Sequence, residues 1–434
     1  MIETIVRPIQ QLSGIISAPP SKAYTQRMII ASALSHGRSI ISGPLLSEDT
    51  EATCRAVKSL GAEITIKNNF WIVDGSLPIN SKSKPIDCGE SGATLRFILP
   101  VAGLAAGSSL LTFGKSLEKR PISPLLQSLE DLGVPTETRQ IENKSGIFVH
   151  GGGIKGGQTS IRGDVSSQFV SGLMFACPLA HLDTIINLTT PLESKSYVEM
   201  TREVLEYHGI LFSISDDFNQ LYIQSNQSYH KHDHKVPGDF SSAAFLLVAA
   251  TITNSKVIIQ NLDSTTLQGD KAILKILTQM GASVKVSKDQ VEIAGIDDLL
   301  KPIDIDARDI PDLVPICATL ACFANGISKI HDANRLRYKE SDRLLSLYLE
   351  LRKMGAKISM DETSLTIQGS GVLNGAIINP HNDHRIAMAC AVAALRATGQ
   401  TTIQNSECVR KSYPEFFNDL RKIGVDVVGR KFDR

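Results

Sequence analysis

The sequence has no surplus of either charge: 45 lysines and arginines stand against 45 aspartates and glutamates, for a formal net charge of zero. No overall field draws such a chain to nucleic acid or to an anionic membrane, and neither partner is expected. No uncharged run reaches the ~20 residues a membrane-spanning helix needs. No basic segment followed by an apolar one opens the chain, so a cytoplasmic location is expected. The seven cysteines (54, 88, 177, 317, 322, 390 and 408) include no C-x-x-C pair. Most fall in apolar stretches and read as small core residues in a reducing compartment. There is no dinucleotide fingerprint, and the glycine-rich stretch from His150 to Gly157 lacks the G-K-[ST] ending of a phosphate loop. No Ser-His-Asp arrangement stands out. His230, His232 and His234 alternate in a polar segment and read as solvated rather than metal-binding. Neither a metal nor a cofactor is expected.

What the chain does have is a repeat. Six helices with one apolar face end at a glycine that precedes a hairpin: Gly61, Gly133, Gly209, Gly281, Gly355 and Gly424, about 70 residues apart. Each glycine suits the left-handed turn that ends a helix, where a Cβ would be penalised. A second kind of helix start recurs between them. Its six versions are Ile16-Ser-Ala-Pro-Pro-Ser-Lys22, Asp87-Cys-Gly-Glu-Ser91, Ile161-Arg-Gly-Asp-Val-Ser-Ser167, Val236-Pro-Gly-Asp-Phe-Ser241, Asp306-Ala-Arg-Asp-Ile-Pro-Asp312 and Ile378-Asn-Pro-His-Asn-Asp383. Each opens an almost uncharged helix, such as 97–107, 169–180, 243–252 or 386–395, and helices apolar all round are buried. Each unit therefore reads β-α-β-α-β-β, an α/β architecture.

Three such units make a natural globule, so two domains of three units are expected. The boundaries expected are 20–235 for one lobe, and 1–19 plus 236–434 for the other. Residues 224–235, rich in Ser, Asn, Gln and His, read as the linker. Residues 2–19 precede any complete unit, and the last unit stops one strand short. The N-terminal segment should therefore pair with the C-terminal lobe, and the chain should cross twice.

Several cations stand where a helix dipole disfavours them. Lys22 and Arg27 lie on the first turns of the helix opening at Ser21, Arg385 just inside the helix opened at Asp383, and Lys411 near Pro414, read as the first residue of a helix. Each such placement costs ~0.3–1 kcal/mol. Lys339 and Arg343 are spaced to share a helix face, with Glu340 and Asp342 able to offset them. Arg120 precedes a helix whose first turn holds Pro121 and Pro124. Together these point to an anion-binding cleft, since helix N-termini and cations both favour phosphate and carboxylate. Ser166-Ser167-Gln168 and Asp312 read as caps, although a carboxylate beside cations could also serve as acid or base.

These residues, in this order, resemble the 5-enolpyruvylshikimate-3-phosphate synthase family of enolpyruvyl transferases. The matching stretches are Pro20 to Arg27, Glu90 to Arg96, Arg120-Pro121, Val165 to Phe169, Ser194-Lys195 with Tyr197, Pro311-Asp312, Lys339 to Arg343, Asn382 to Arg385, and Arg410-Lys411. The resemblance implies an inverse α/β barrel fold of two domains that close over the substrates. It implies transfer of the enolpyruvyl group of phosphoenolpyruvate to the 5-hydroxyl of shikimate 3-phosphate, with release of phosphate. That reaction belongs to the shikimate pathway, towards chorismate and the aromatic amino acids.

Carried over by position, Lys22 would contact both substrates and share in proton transfer, and Arg27 would bind the shikimate carboxylate. Ala23 would offer its backbone N–H. Ser166, Ser167, Gln168, Ser194 and Lys339 would hold the shikimate phosphate and ring. Gly92, Arg120, Gln168, Arg343, Arg385 and Lys411 would grip phosphoenolpyruvate, Gly92 by admitting the ligand close to the backbone. Asp312 would accept the hydroxyl proton, and Glu340 would protonate the methylene carbon. The partners implied are these two small molecules alone, bound by a monomer.

The chain departs from the family pattern at Ala23, commonly serine, at Glu90, commonly asparagine, at Ala93, commonly threonine, and at Arg335, commonly asparagine. The sister transferases acting on UDP-N-acetylglucosamine typically carry a reactive cysteine ahead of the Arg120 position. Residues 113–119 have none. A non-enzymatic scaffold or RNA-binding relative of similar architecture fits the neutral charge and the clustered cations less well.

Overall fold

The computed structural model describes residues 2–431 apart from 76–77, 81–83, 142–143 and 296–299. Met1 and residues 432–434, the ends of the second expected lobe, lie outside the described residues. The chain forms two compact units, Pro20–Val236 on the one hand and Met1–Pro19 with Pro237–Arg434 on the other.

Within each unit the sheets follow one plan. A first strand leads through a buried helix to a parallel neighbour, and an amphipathic helix then leads to an antiparallel hairpin. In the first unit Ile86–Asp87 pairs in parallel with Ser109–Phe113, which pairs with Lys144–Val149, and that strand with Thr136–Ile141. The strands Gly157–Arg162, Thr184–Thr190, Gln220–Ile223 and Phe212–Ile214 repeat the order. In the second unit Asp304–Asp306, Gly326–His331, Leu365–Gly369 and Lys357–Met360 do the same. Ile2–Val6 inserts between Thr401–Ile403 and Val427–Lys431, supplying the strand that the last repeat lacks.

Two sheets break chain order. At two starts the strand directly ahead of the buried helix does not join the sheet of that helix's own repeat. Ser13–Ser17, just before the helix Lys22–Ala33, pairs with Lys256–Gln260, a strand of its own unit. The strands Tyr229–His230 and His234–Lys235 pair with Ser35–Ser42 and take the vacated place. Residues 224–235 are thus partly sheet rather than a plain linker. Local pattern marks a strand but does not choose its neighbour, which is a long-range matter of register and burial.

The cores explain the uncharged helices. Every residue of Phe240–Ile252, Val314–Cys322 and His384–Ala394 is buried. Strands such as Lys256–Gln260 bury alternate residues only, as the pleat requires when one face meets solvent. Helices therefore lie inside and sheets outside, each buried Leu, Ile or Phe contributing ~1.5–3 kcal/mol. All six repeat glycines have positive φ, from 78° at Gly209 to 111° at Gly61. All seven cysteines are buried, and none is joined to another in a disulfide. Among the described residues no helix is long and apolar enough to cross a membrane.

The histidine segment departs from its expected solvation only in part: His230 is exposed and His232 half-buried. His234 is buried, and its Nε2 lies 2.9 Å from Nε2 of His208, whose Nδ1 faces the His230 carbonyl at 2.6 Å. His232 stacks on Tyr207. Strand pairing with Ser35–Ser42 pulls the segment inward, and alternate residues follow it.

Candidate active site

At five of the six recurring helix starts, the Ser or Asp side chain accepts a first-turn backbone N–H: Ser21, Ser91, Ser166, Asp239 and Asp383. The sixth breaks the pattern. The helix Val314–Cys322 has Leu313 at its N-cap and no side-chain cap bond. The Asp312 carboxylate turns away to cations, so the cap reading of Asp312 is corrected. Its Oδ1 accepts from Nη1 of Arg343 at 2.8 Å and lies 3.7 Å from Nζ of Lys339, and its Oδ2 accepts from Nη2 of Arg385 at 3.1 Å.

Arg343 is the hub. Beyond Asp312, its Nε donates to Asp383 at 2.8 Å and its Nη2 to Glu340 at 2.7 Å. Lys411 joins through the Asn382 carbonyl, 3.0 Å from its Nζ. The second unit thus brings Asp312, Lys339, Glu340, Arg343, Arg385 and Lys411 into one connected cluster. Three sequence expectations need correction here. Lys339 and Arg343 do not share a helix: Lys339 is extended after the turn Asn334–Tyr338, and Asp342 caps a new helix at Arg343–Lys353. Asp342 pairs with Arg337 rather than with this cluster. Lys411 ends the short turn Ser406–Lys411, and the next helix starts only at Phe416, beyond Pro414.

The electrostatics follow from burial and pairing. Burial opposes the Asp312 charge, but Arg385, then Lys339 and Arg343, overcome it and hold the carboxyl well below the usual carboxylate range. Burial lowers Lys339 to about 8, with Asp312 opposing. Asp270, a buried residue not foreseen from the sequence, is raised to about 7 by burial and then by Asp312, against Arg385. Arg335 is buried with Nη2 on the Arg308 carbonyl, and its charge helps lower Lys339. It therefore faces the same cluster.

The first unit gathers its own set at three helix N-termini. Lys22 pairs with Asp49 at 2.8 Å. Buried Gln26 reaches both Ser91, the cap of Gly92–Gly103, and the Asp49 carbonyl. Arg27 lies a full turn into its helix, donating to Thr201, the Ala23 carbonyl and the Tyr197 carbonyl, with its face on Phe97 and Tyr197. Burial lowers its pKa to about 10. Ser194, also buried, holds a left-handed φ of 57° beside this group. Backbone strain of that kind collects at functional sites.

The Gly92 backbone is closely approached by a side chain of the same unit. The Arg120 guanidinium lies against it, 2.9 Å from where a Cβ would stand, so the missing side chain admits an arginine. Arg120 precedes the helix Ser123–Asp131, which excludes Pro121. Glu90 folds back to accept from the backbone N–H and hydroxyl of Ser116. Gln168, on the helix Ser167–Ala176, accepts from Arg96 at 2.8 Å. Sequence reasoning gave no site role to Asp49, Arg96, Asp270 or Asp383, because an acid at a helix start or a buried arginine has no local signature of its partner. Among the described residues one group has the donors for a metal: Asp306, His331 and Asp332 place ligand atoms within 4.8 Å of one another. Asp306 is engaged by Arg308, and the His331 nitrogens already face Asp304 and Asp332.

Helix-filled, sheet-coated units carrying such clusters define an enolpyruvyl transferase fold. The solved structure of the enolpyruvyl transferase NikO from Streptomyces tendae superposes with a TM-score of 0.81 over 99% of each chain, at 18% identity. The EPSP synthase of Acinetobacter baumannii superposes with a TM-score of 0.83 at 25% identity, covering 99% of this chain and 100% of that one. Residues 6–420 match the family described as EPSP synthase (3-phosphoshikimate 1-carboxyvinyltransferase). The 3-phosphoshikimate 1-carboxyvinyltransferase of Methanocella arvoryzae is 44% identical over 420 residues, 95% of this chain and 97% of its own. That of Methanocaldococcus jannaschii is 40% identical over 426 residues, 98% of both. The chain belongs to the EPSP synthase family.

Proposed function

We propose that this chain joins the 5-hydroxyl of shikimate 3-phosphate to C2 of phosphoenolpyruvate and expels inorganic phosphate. The observation that carries the reading is the ionised Asp312 carboxylate held by Arg343 and Arg385, beside Lys339, with Glu340 on the same Arg343.

A base must start deprotonated, and the surrounding cations keep Asp312 so. Their pull also makes it a weak proton acceptor. Incoming phosphate and carboxylate groups share those guanidiniums, which returns proton affinity to Asp312 and loosens Glu340 from Arg343. In the addition step the hydroxyl oxygen bonds to C2 as Asp312 takes its proton. The C2–C3 π pair takes a proton at C3 from Glu340, giving a tetrahedral adduct. In elimination Glu340, now a carboxylate, takes a proton back from C3, the double bond re-forms, and the C2–O bond breaks as the leaving phosphate carries off the proton held by Asp312. No phosphoryl group is transferred, and the work of the protein is orientation and charge stabilisation.

We assign Lys22 to both substrates and to proton sharing, and Ala23, Arg27, Ser166, Ser167, Gln168, Ser194 and Lys339 to shikimate 3-phosphate. Gly92, Arg120, Gln168, Arg343, Arg385 and Lys411 go to phosphoenolpyruvate. Phosphate release from phosphoenolpyruvate with shikimate 3-phosphate tests the reading, with UDP-N-acetylglucosamine as control. Turnover confined to the shikimate substrate supports it. Release with the nucleotide sugar alone, or with neither acceptor, would overturn it.

A further inference from the structure

Arg96 is the single charged residue of the helix Gly92–Gly103 and is almost wholly buried, at 5% exposure. A charge in so apolar a helix must be compensated, and its contacts here are specific. Nη1 donates to Oε1 of Gln168 at 2.8 Å, Nη2 to the Pro121 carbonyl at 3.2 Å, and the guanidinium lies over the Phe169 ring. One fork therefore reaches two segments, the helix start at Gln168 and the residue after Arg120.

The approach that allows this comes from Gly172. A Cβ there would stand 2.4 Å from the Arg96 carbonyl oxygen, so only glycine lets the helix Ser167–Ala176 come so close to Gly92–Gly103. Gln168 stands four residues before Gly172, on the same helix face. The glycine contact thus delivers the Gln168 amide to the Arg96 fork.

The chemistry of that bond is directional. Arginine has donors only, so the amide must present its oxygen to Arg96. Its NH2 group is thereby left to point elsewhere, and a flip that would turn the oxygen towards a bound anion is blocked. We infer that Arg96 is a positioning residue: it locks Gln168 as a hydrogen-bond donor to an anionic or hydroxyl oxygen of the ligand, and pins the backbone beside Arg120. This rests on the reading above, in which Gln168 and Arg120 hold substrate.

A double-mutant cycle with phosphoenolpyruvate and shikimate 3-phosphate tests it. Arg96→Lys keeps the charge and loses the fork, and Gln168→Ala removes the group it aims. Each alone should lower kcat/KM about tenfold to a hundredfold, the range for charged hydrogen bonds. Together they should cost little more than the worse single change, because one acts through the other. Multiplying effects, or an Arg96→Lys enzyme as fast as wild type, would overturn the inference. Gln168→Glu provides a variant whose folding is secure, since a carboxylate still satisfies Arg96. It should keep its melting temperature and lose activity, because it has no NH2 to offer. Full activity in Gln168→Glu would also overturn the inference. Absence of turnover in the wild-type protein would instead count against the functional reading, so the two failures are distinct.

Discussion

The Arg120 guanidinium lies against the α-carbon of Gly92, so near that a Cβ there would stand 2.9 Å from Nη1. Gly92 is the first residue of its helix and has no positive φ to protect, so alanine is tolerated by the backbone. Gly92→Ala should push Arg120 aside while leaving the fold intact. We expect KM for phosphoenolpyruvate to rise about tenfold, as for loss of a charged hydrogen bond, with KM for shikimate 3-phosphate nearly unchanged. Initial-rate kinetics varying each substrate in turn would check this, and an equal rise in both constants would contradict it.

Asp383 and Glu340 both bond Arg343, yet their replacement should differ in kind. Asp383 is fully buried, caps the helix His384–Ala394 and holds Nε of Arg343. Asp383→Ala should destabilise by on the order of 3–5 kcal/mol, the cost of breaking a buried pair. Glu340→Ala and Lys22→Ala, whose partners keep other contacts or solvent, should leave the melting temperature nearly unchanged and abolish most turnover. Thermal unfolding set beside phosphate release separates the two outcomes.

Lys339 should set an alkaline limit on binding. Its charged form prevails below about pH 8 and is lost above it. An anionic substrate favours the ammonium, so affinity for shikimate 3-phosphate should hold up to that pH and fall beyond it. Lys339→Arg, charged throughout, should bind with no such fall between pH 7 and 10. Calorimetric titrations across that range would reveal it.

The His208–His234 pair should make the first unit acid-sensitive. Burial is the main cause lowering His208 from 6.5 to about 4 and His234 to about 3, with His232 opposing their charging further. Between those values and 6.5 the unfolded chain binds more protons than the folded one, so stability rises with pH. The contribution is full above pH 6.5 and is lost as pH falls towards 4 and then 3, a loss on the order of a few kcal/mol. Urea unfolding at pH 7.5 and pH 5 should show the drop, and His234→Gln should flatten it.

Much of the architecture was readable before any coordinates. The six C′ glycines announced the period, and the uncharged helices announced a helical interior. Five Ser or Asp starts were caps, as their type implies. The site was readable only as a set of residue types. Lys339 and Arg343 looked like neighbours on one helix, whereas Asp342 starts a new helix between them. Gly92 was legible as a place of close approach to the backbone, but not as the neighbour of the Arg120 guanidinium.

Sequence alone determined what is local: helix ends, where glycine relieves a steric clash, and buried helices, where no polar side chain is left to meet water. Tertiary structure decided what is remote in the chain. It exchanged Ser13–Ser17 for Tyr229–His230 and His234–Lys235, and it turned Asp312 from a cap into the partner of Arg343 and Arg385. A helix turn spans four residues and is encoded by them. A strand neighbour or an ion pair is chosen among all segments that packing brings within reach, and that choice exists only in the folded chain.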